Sequence, residues 1–77
     1  MKDVNRPLDL LNVSKKKNVL VILNDGKQFS GELVAFDIHI NIILSNASEI
    51  VDGEHTTKYG QVFLRGDAVQ IISPVAA

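Results

Sequence analysis

Three polar side chains close an apolar run in the middle of the chain: Asp37, His39 and Asn41, separated by Ile38 and Ile40. On an extended backbone these alternate positions point the same way; if the chain turns here, they crowd onto one loop. Either arrangement gathers a carboxylate that only accepts hydrogen bonds, a flat imidazole, and an amide that both donates and accepts. A second polar cluster, Arg65-Gly66-Asp67, interrupts an apolar run near the C-terminus. As chemistry, Asp37 and His39 could form a general-base dyad. No serine, cysteine or lysine nucleophile stands in a recognisable arrangement with them, and no phosphate-binding loop is present. Moreover, 77 residues leave little room for a substrate cleft. The reading is therefore a binding protein without catalytic residues. His39 and His55 with scattered carboxylates match no ligand spacing, so neither a metal nor a cofactor is expected. His55 is expected as a solvated residue in the turn after Asp52-Gly53-Glu54.

The elements that must position these clusters are short. Asn5-Arg6-Pro7-Leu8 reads as a helix start, with Asn5 as cap and proline in the first turn. Leu8 and Leu11 share one face, and Lys15-Lys16-Lys17 closes the helix, read as a solvated cationic end in preference to a phosphate contact. This predicts a helix over about residues 5–15. Val19 to Leu23 is a mostly β-branched apolar run, read as buried on both faces and ending at the turn signal Asn24-Asp25-Gly26. From Gln28 to Leu33 polar and apolar residues alternate, as on a strand with one wet face, and the run turns wholly apolar by Phe36. Gly31 inside it predicts a bulge or sharp bend. Ile42-Ile43-Leu44 leaves the Asp37/His39/Asn41 loop. A more polar interval from Asn46 to Glu49 follows, then Ile50-Val51 and a turn at Asp52-Gly53. Thr56 to Leu64 is strand-like, with Tyr59 and Phe63 as core or sheet-packing aromatics. Ala68 to Ile72 is a last short strand stopped by Pro74, and residues 74–77 are expected as a loose tail.

One helix followed by five strands over about residues 17–73 makes a single, mainly β domain: a small, strongly bent antiparallel barrel. A chain of 77 residues buries only ~60–65% of its unfolded surface. It carries 45% hydrophobic residues and no cysteine for a disulfide staple, which predicts stabilisation by oligomerisation. The short apolar last strand would be a hazard as a free edge. Pairing it with an edge strand of a second copy, head to tail, gives a ring if the rotation closes. The net charge of −1 argues against binding nucleic acid through a broad phosphate-attracting field, leaving a local pocket as the alternative. No apolar run is long enough to span a bilayer and none resembles a signal peptide, so the expectation is a cytoplasmic protein with no membrane partner.

Two sets of residues then resemble the motifs of the Sm and Sm-like family of RNA-binding proteins, most closely its archaeal members. The first set is Val21, Leu23, Asp25-Gly26, Phe29, Gly31, Leu33, Phe36-Asp37, His39, Asn41 and Leu44; the second is Gly60 to Asp67 with Val69 and Ile71. Ile40 stands where relatives often carry methionine. The resemblance implies a helix on a five-stranded bent sheet and a homo-oligomeric ring, usually heptameric. It further implies uridine-rich single-stranded RNA bound around the inner rim, in RNA processing or as an RNP scaffold with RNA-processing proteins as further partners. By the same resemblance His39 and Arg65 sandwich a base, and Asn41 reads its edge. Asp37 and Asp67 hold Asn41 and the loop, and Gly66 lets the backbone approach the base. The alternative is a structural ring that serves as a protein-interaction platform, with RNA incidental.

Overall fold

The computed structural model describes residues 7–75. Helix α1 spans Pro7–Ser14. Asn5, expected to cap it, and Arg6 lie outside the described residues. At its other end the chain turns through Lys16, whose φ is +67°. The Lys16 N–H donates to the Leu33 carbonyl at 2.7 Å and the Leu33 N–H to the Lys17 carbonyl at 3.0 Å. The lysine run is thus pinned to a strand through its backbone, which buries Ser14 and sets Leu11 in the core.

The strands are β1 (Asn18–Leu23), β2 (Gln28–Phe36), β3 (Ile42–Val51), β4 (Glu54–Leu64) and β5 (Val69–Pro74). They form one antiparallel sheet in the order β4-β3-β2-β1-β5, so β4 and β5 are its two edges. Asn24-Asp25-Gly26 turns β1 into β2, with Gly26 at φ +90°. Asp52 and Gly53 turn β3 into β4, both at positive φ as a tight two-residue hairpin requires. The expected break at Gly31 is a register shift between Ser30 and Glu32. A Cβ at this position would lie 3.0 Å from both the Ala47 Cα and the Ser45 carbonyl oxygen, so glycine lets β3 press against the bend.

Inside the curl lie Val19, Val21, Leu33, Ile42, Leu44, Ala47 and Leu64, capped by Leu11 of the helix. Only one face of β1 is fully enclosed: Leu20 and Ile22 are half-buried. The polar interval from Asn46 to Glu49 does not interrupt β3, because Ala47 and Ser48 turn inward. His55 is not a loop residue. It lies in β4, where its Nδ1 meets the Ser48 Oγ at 2.5 Å. Tyr59 packs on the sheet against Phe29, with ring centroids 6.2 Å apart, whereas Phe63 is 61% exposed and belongs to no core. Pro74 does not start a tail but pairs with Val19, and the Val75 N–H donates to the Asn18 carbonyl. Residues 76–77 lie outside the described residues.

A 3₁₀ turn, Gly66–Ala68, joins the edge strands β4 and β5 with only four residues, 65–68, between them. This short link carries the second polar cluster, and the β2–β3 connection carries the first.

Candidate functional site

Asp37, His39 and Asn41 sit on a hairpin loop instead of an extended strand. Asp37 organises it from within. Its Oδ1 accepts the backbone N–H groups of His39 at 2.8 Å and Asn41 at 3.2 Å, and its Oδ2 accepts the Asn41 Nδ2 at 3.1 Å. The Asn41 side-chain bond, helped by these two backbone donors and the nearby His39, holds the Asp37 carboxyl below its ordinary value of 3.8, although desolvation pushes it the other way.

Asn41 is bound at both ends of its amide. While Nδ2 donates to Asp37, Oδ1 accepts the backbone N–H of Gly66 at 2.7 Å. A carboxylate only accepts and an N–H only donates, so these partners fix which end of the amide is which. One amide N–H and one carbonyl lone pair remain for a ligand.

Gly66 is required for the contact between the two loops. A Cβ there would overlap the His39 carbonyl oxygen and crowd the Ile40 carbonyl carbon. Asp67 does not hold Asn41, contrary to expectation, because its carboxylate faces the Arg65 guanidinium at 3.4 Å. Both of those side chains are about three-quarters exposed, so the pair steers more than it stabilises. The Asp67 carbonyl accepts the Asn24 Nδ2 at 2.9 Å, and the Asn24 N–H donates to the Ala68 carbonyl at 2.8 Å. The β1–β2 turn therefore buttresses the second loop. Sequence reasoning missed this role of Asn24, since a turn-type asparagine carries no mark of a partner 43 positions away.

His39, Asn41, Arg65, Gly66 and Asp67 line one open depression of about 410 Å³. Asp37 is bonded to Asn41 but does not line it. Among the described residues no group of three or more His, Cys, Asp or Glu side chains could hold a metal ion. What the depression offers is an exposed imidazole, an exposed guanidinium and an oriented amide. Such planes and such an amide suit an unstacked nucleobase, taken by its faces and its edge.

Comparison with known proteins agrees with this chemistry. A family model described as the LSM domain matches residues 9–74. The chain belongs to the LSM family. An snRNP Sm-like protein of Thermococcus onnurineus is 53% identical over 70 residues, covering 91% of this LSM chain and 90% of the relative. The Sm protein of Pyrococcus abyssi, solved in complex with a uridine heptamer, superposes with a TM-score of 0.89 at 48% identity, covering 92% of this chain and all of that one. The SmAP1 heptamer of P. aerophilum gives a TM-score of 0.88 at 39% identity, over 97% of this chain and all of that one. The helix followed by five antiparallel strands is the Sm fold. No helix among the described residues is long and apolar enough to cross a membrane.

Proposed function

We propose that this LSM protein forms a homo-oligomeric, heptameric ring that binds uridine-rich single-stranded RNA without catalysing a reaction on it, and that it acts in the cytoplasm in RNA processing or as an RNP scaffold. His39 and Arg65 stack on the two faces of a base, and Asn41 reads its edge. Asp37 and Gly66 hold the reader, while Asp67 orients Arg65. The observation that carries this reading is the doubly bonded Asn41 amide. Uracil presents an O4 acceptor beside an N3–H donor, whereas cytosine presents an N4 donor beside an N3 acceptor. An amide free to flip would serve both bases; one held at both ends favours the base that matches it. Similarity to the P. abyssi protein, solved with a uridine heptamer, supports the choice of uracil.

The ring follows from the sheet's two free edges, β4 and β5, which leave Phe63 and Ile71 exposed in the single chain. Pairing β5 of one copy with β4 of the next covers both edges. Repeating the depression around the ring multiplies a weak single-base contact into tight binding, with no need of a basic surface.

The test is a titration of short oligo-U and oligo-C RNA at two salt concentrations. Tight, U-selective binding with a shallow salt dependence is expected. Binding that ignores the base and collapses with salt would mean phosphate contacts alone and would overturn the pocket.

A further inference from the structure

The loop that carries His39 and Asn41 breaks a rule of turn chemistry at Ile40. Phe36 faces Ile42 across β2 and β3. The Asp37 N–H donates to the Asn41 carbonyl at 3.2 Å, and the Ile40 N–H closes a turn on the Asp37 carbonyl at 3.1 Å. Residues 38–40 are left as a three-residue hairpin loop. Loops of this pattern put their last residue in the left-handed region, where glycine stands because a Cβ crowds the following carbonyl. Here that residue is Ile40, at φ +62°. A β-branched side chain in this region is an outlier. The other two hairpins of the sheet obey the rule, with Gly26 at +90° and Gly53 at +83°.

Since glycine would suit the backbone better, the isoleucine side chain must contribute something that glycine lacks. It is half-buried, packs against the core, and with Leu10, Leu11, Val69 and Ile72 lines an apolar groove of about 310 Å³. Gly66 lines the same groove. The groove therefore joins the helix, the first residue of β5 and both loops of the base site. Ile40 lies between the two residues expected to touch the base. Seating its side chain in the groove fixes the directions in which His39 and Asn41 leave the backbone.

We infer that Ile40 is a positioning residue for base recognition: an apolar anchor that holds the loop in a left-handed conformation its own side chain disfavours, so that His39 and Asn41 meet the same base. This rests on the base-site reading above. Ile40 touches no base and acts only through its neighbours. A residue that merely filled the core would change melting temperature and leave base preference alone.

The experiment measures oligo-U and oligo-C affinity, ring assembly by sedimentation, and thermal melting for the wild type, Ile40→Gly and Ile40→Met. Glycine keeps the backbone conformation and deletes the anchor. Its ring should bind oligo-U at least about fivefold more weakly, the lower end of what one lost stacking contact costs, with the U-to-C ratio falling toward one. Methionine is unbranched and keeps an apolar anchor, so its ring should retain wild-type affinity and ratio. If Ile40→Gly rings fail to assemble, Ile40→Asn, which tolerates the left-handed region without an apolar side chain, should show the same loss. A glycine or asparagine ring with the wild-type U-to-C ratio overturns the inference, whatever its melting temperature. A wild type with no preference for oligo-U instead overturns the base-site reading, so the two failures are told apart.

Discussion

The backbone N–H of Gly66 and the side-chain Oδ1 of Asn41, 25 positions apart in sequence, are joined at 2.7 Å. This bond turns two separate loops into one site, and the absence of a side chain at Gly66 permits it. In Gly66→Ala the new methyl meets backbone that cannot swing aside, so the loops must part. Overpacking of this kind costs about 1–3 kcal/mol. The variant should melt lower and lose its preference for oligo-U together; a lower melting point with intact preference would mean that the contact is not needed for recognition.

Stacking and ring assembly should draw on different residues. His39→Ala and Arg65→Ala should each weaken oligo-U binding by about 1–3 kcal/mol per base contacted, with rings unchanged in sedimentation. Both side chains are exposed and neither belongs to the core. Disassembly of either variant would break this division of labour.

Acid should release the lock on Asn41. A carboxyl held lower in the folded loop than in the unfolded chain stabilises the loop at any pH above its unfolded value. For Asp37 that contribution is lost as the pH falls through the lowered folded value, and near neutrality it should be constant. Backbone amide signals of His39 and Asn41 should lose order only below about pH 4. Asp37→Asn should abolish that acid transition and reduce the U-to-C ratio at every pH.

At Gly31 the expected effect is on the fold itself. A methyl there would lie 3.0 Å from the backbone of β3, which must then move. Gly31→Ala should lower stability by about 1–3 kcal/mol in chemical denaturation. A neutral result would mean that the bulge relaxes freely.

Ile71 is 47% exposed on an edge strand. A glutamate there should leave the strand pairing within each chain intact and prevent the ring. Circular dichroism should match the wild type while sedimentation falls to the mass of a monomer. An intact Ile71→Glu ring would place the subunit contact elsewhere.

The strands, their succession along the chain and both polar clusters were legible in the sequence because they rest on local signals. These are the alternation from Gln28 to Leu33, the Asx-Gly turns, and an apolar run broken by Arg65-Gly66-Asp67. What was not legible depends on distant partners. Nothing near Asn24 announces its bond to Asp67, and nothing in Asp67 itself shows that its carboxylate turns to Arg65 and not to Asn41. Phe63 read as a core or sheet-packing aromatic because aromatics on strands usually are; its exposure follows from its facing away from the buried Leu64 on an edge strand. The backbone angle of Ile40 was the least legible of all, since an apolar residue in a loop carries no sign of it.

The four-residue link from β4 to β5 acts as a tether. Its five Cα steps reach at most roughly 17 Å. In a flat sheet Leu64 would stand level with Phe36 of β2, while Val69, opposite Leu23, would stand near Gln28. Eight residues along the strands and four strand spacings across them put those points roughly 30 Å apart. The link cannot cover that distance, so the sheet can form only if it rolls up until its far corners meet. The bulge at Gly31 falls between Gln28 and Phe36, along the line that must bend. Arg65 thus stands at the clasp of the barrel, and a chain with a longer clasp would be free to unroll.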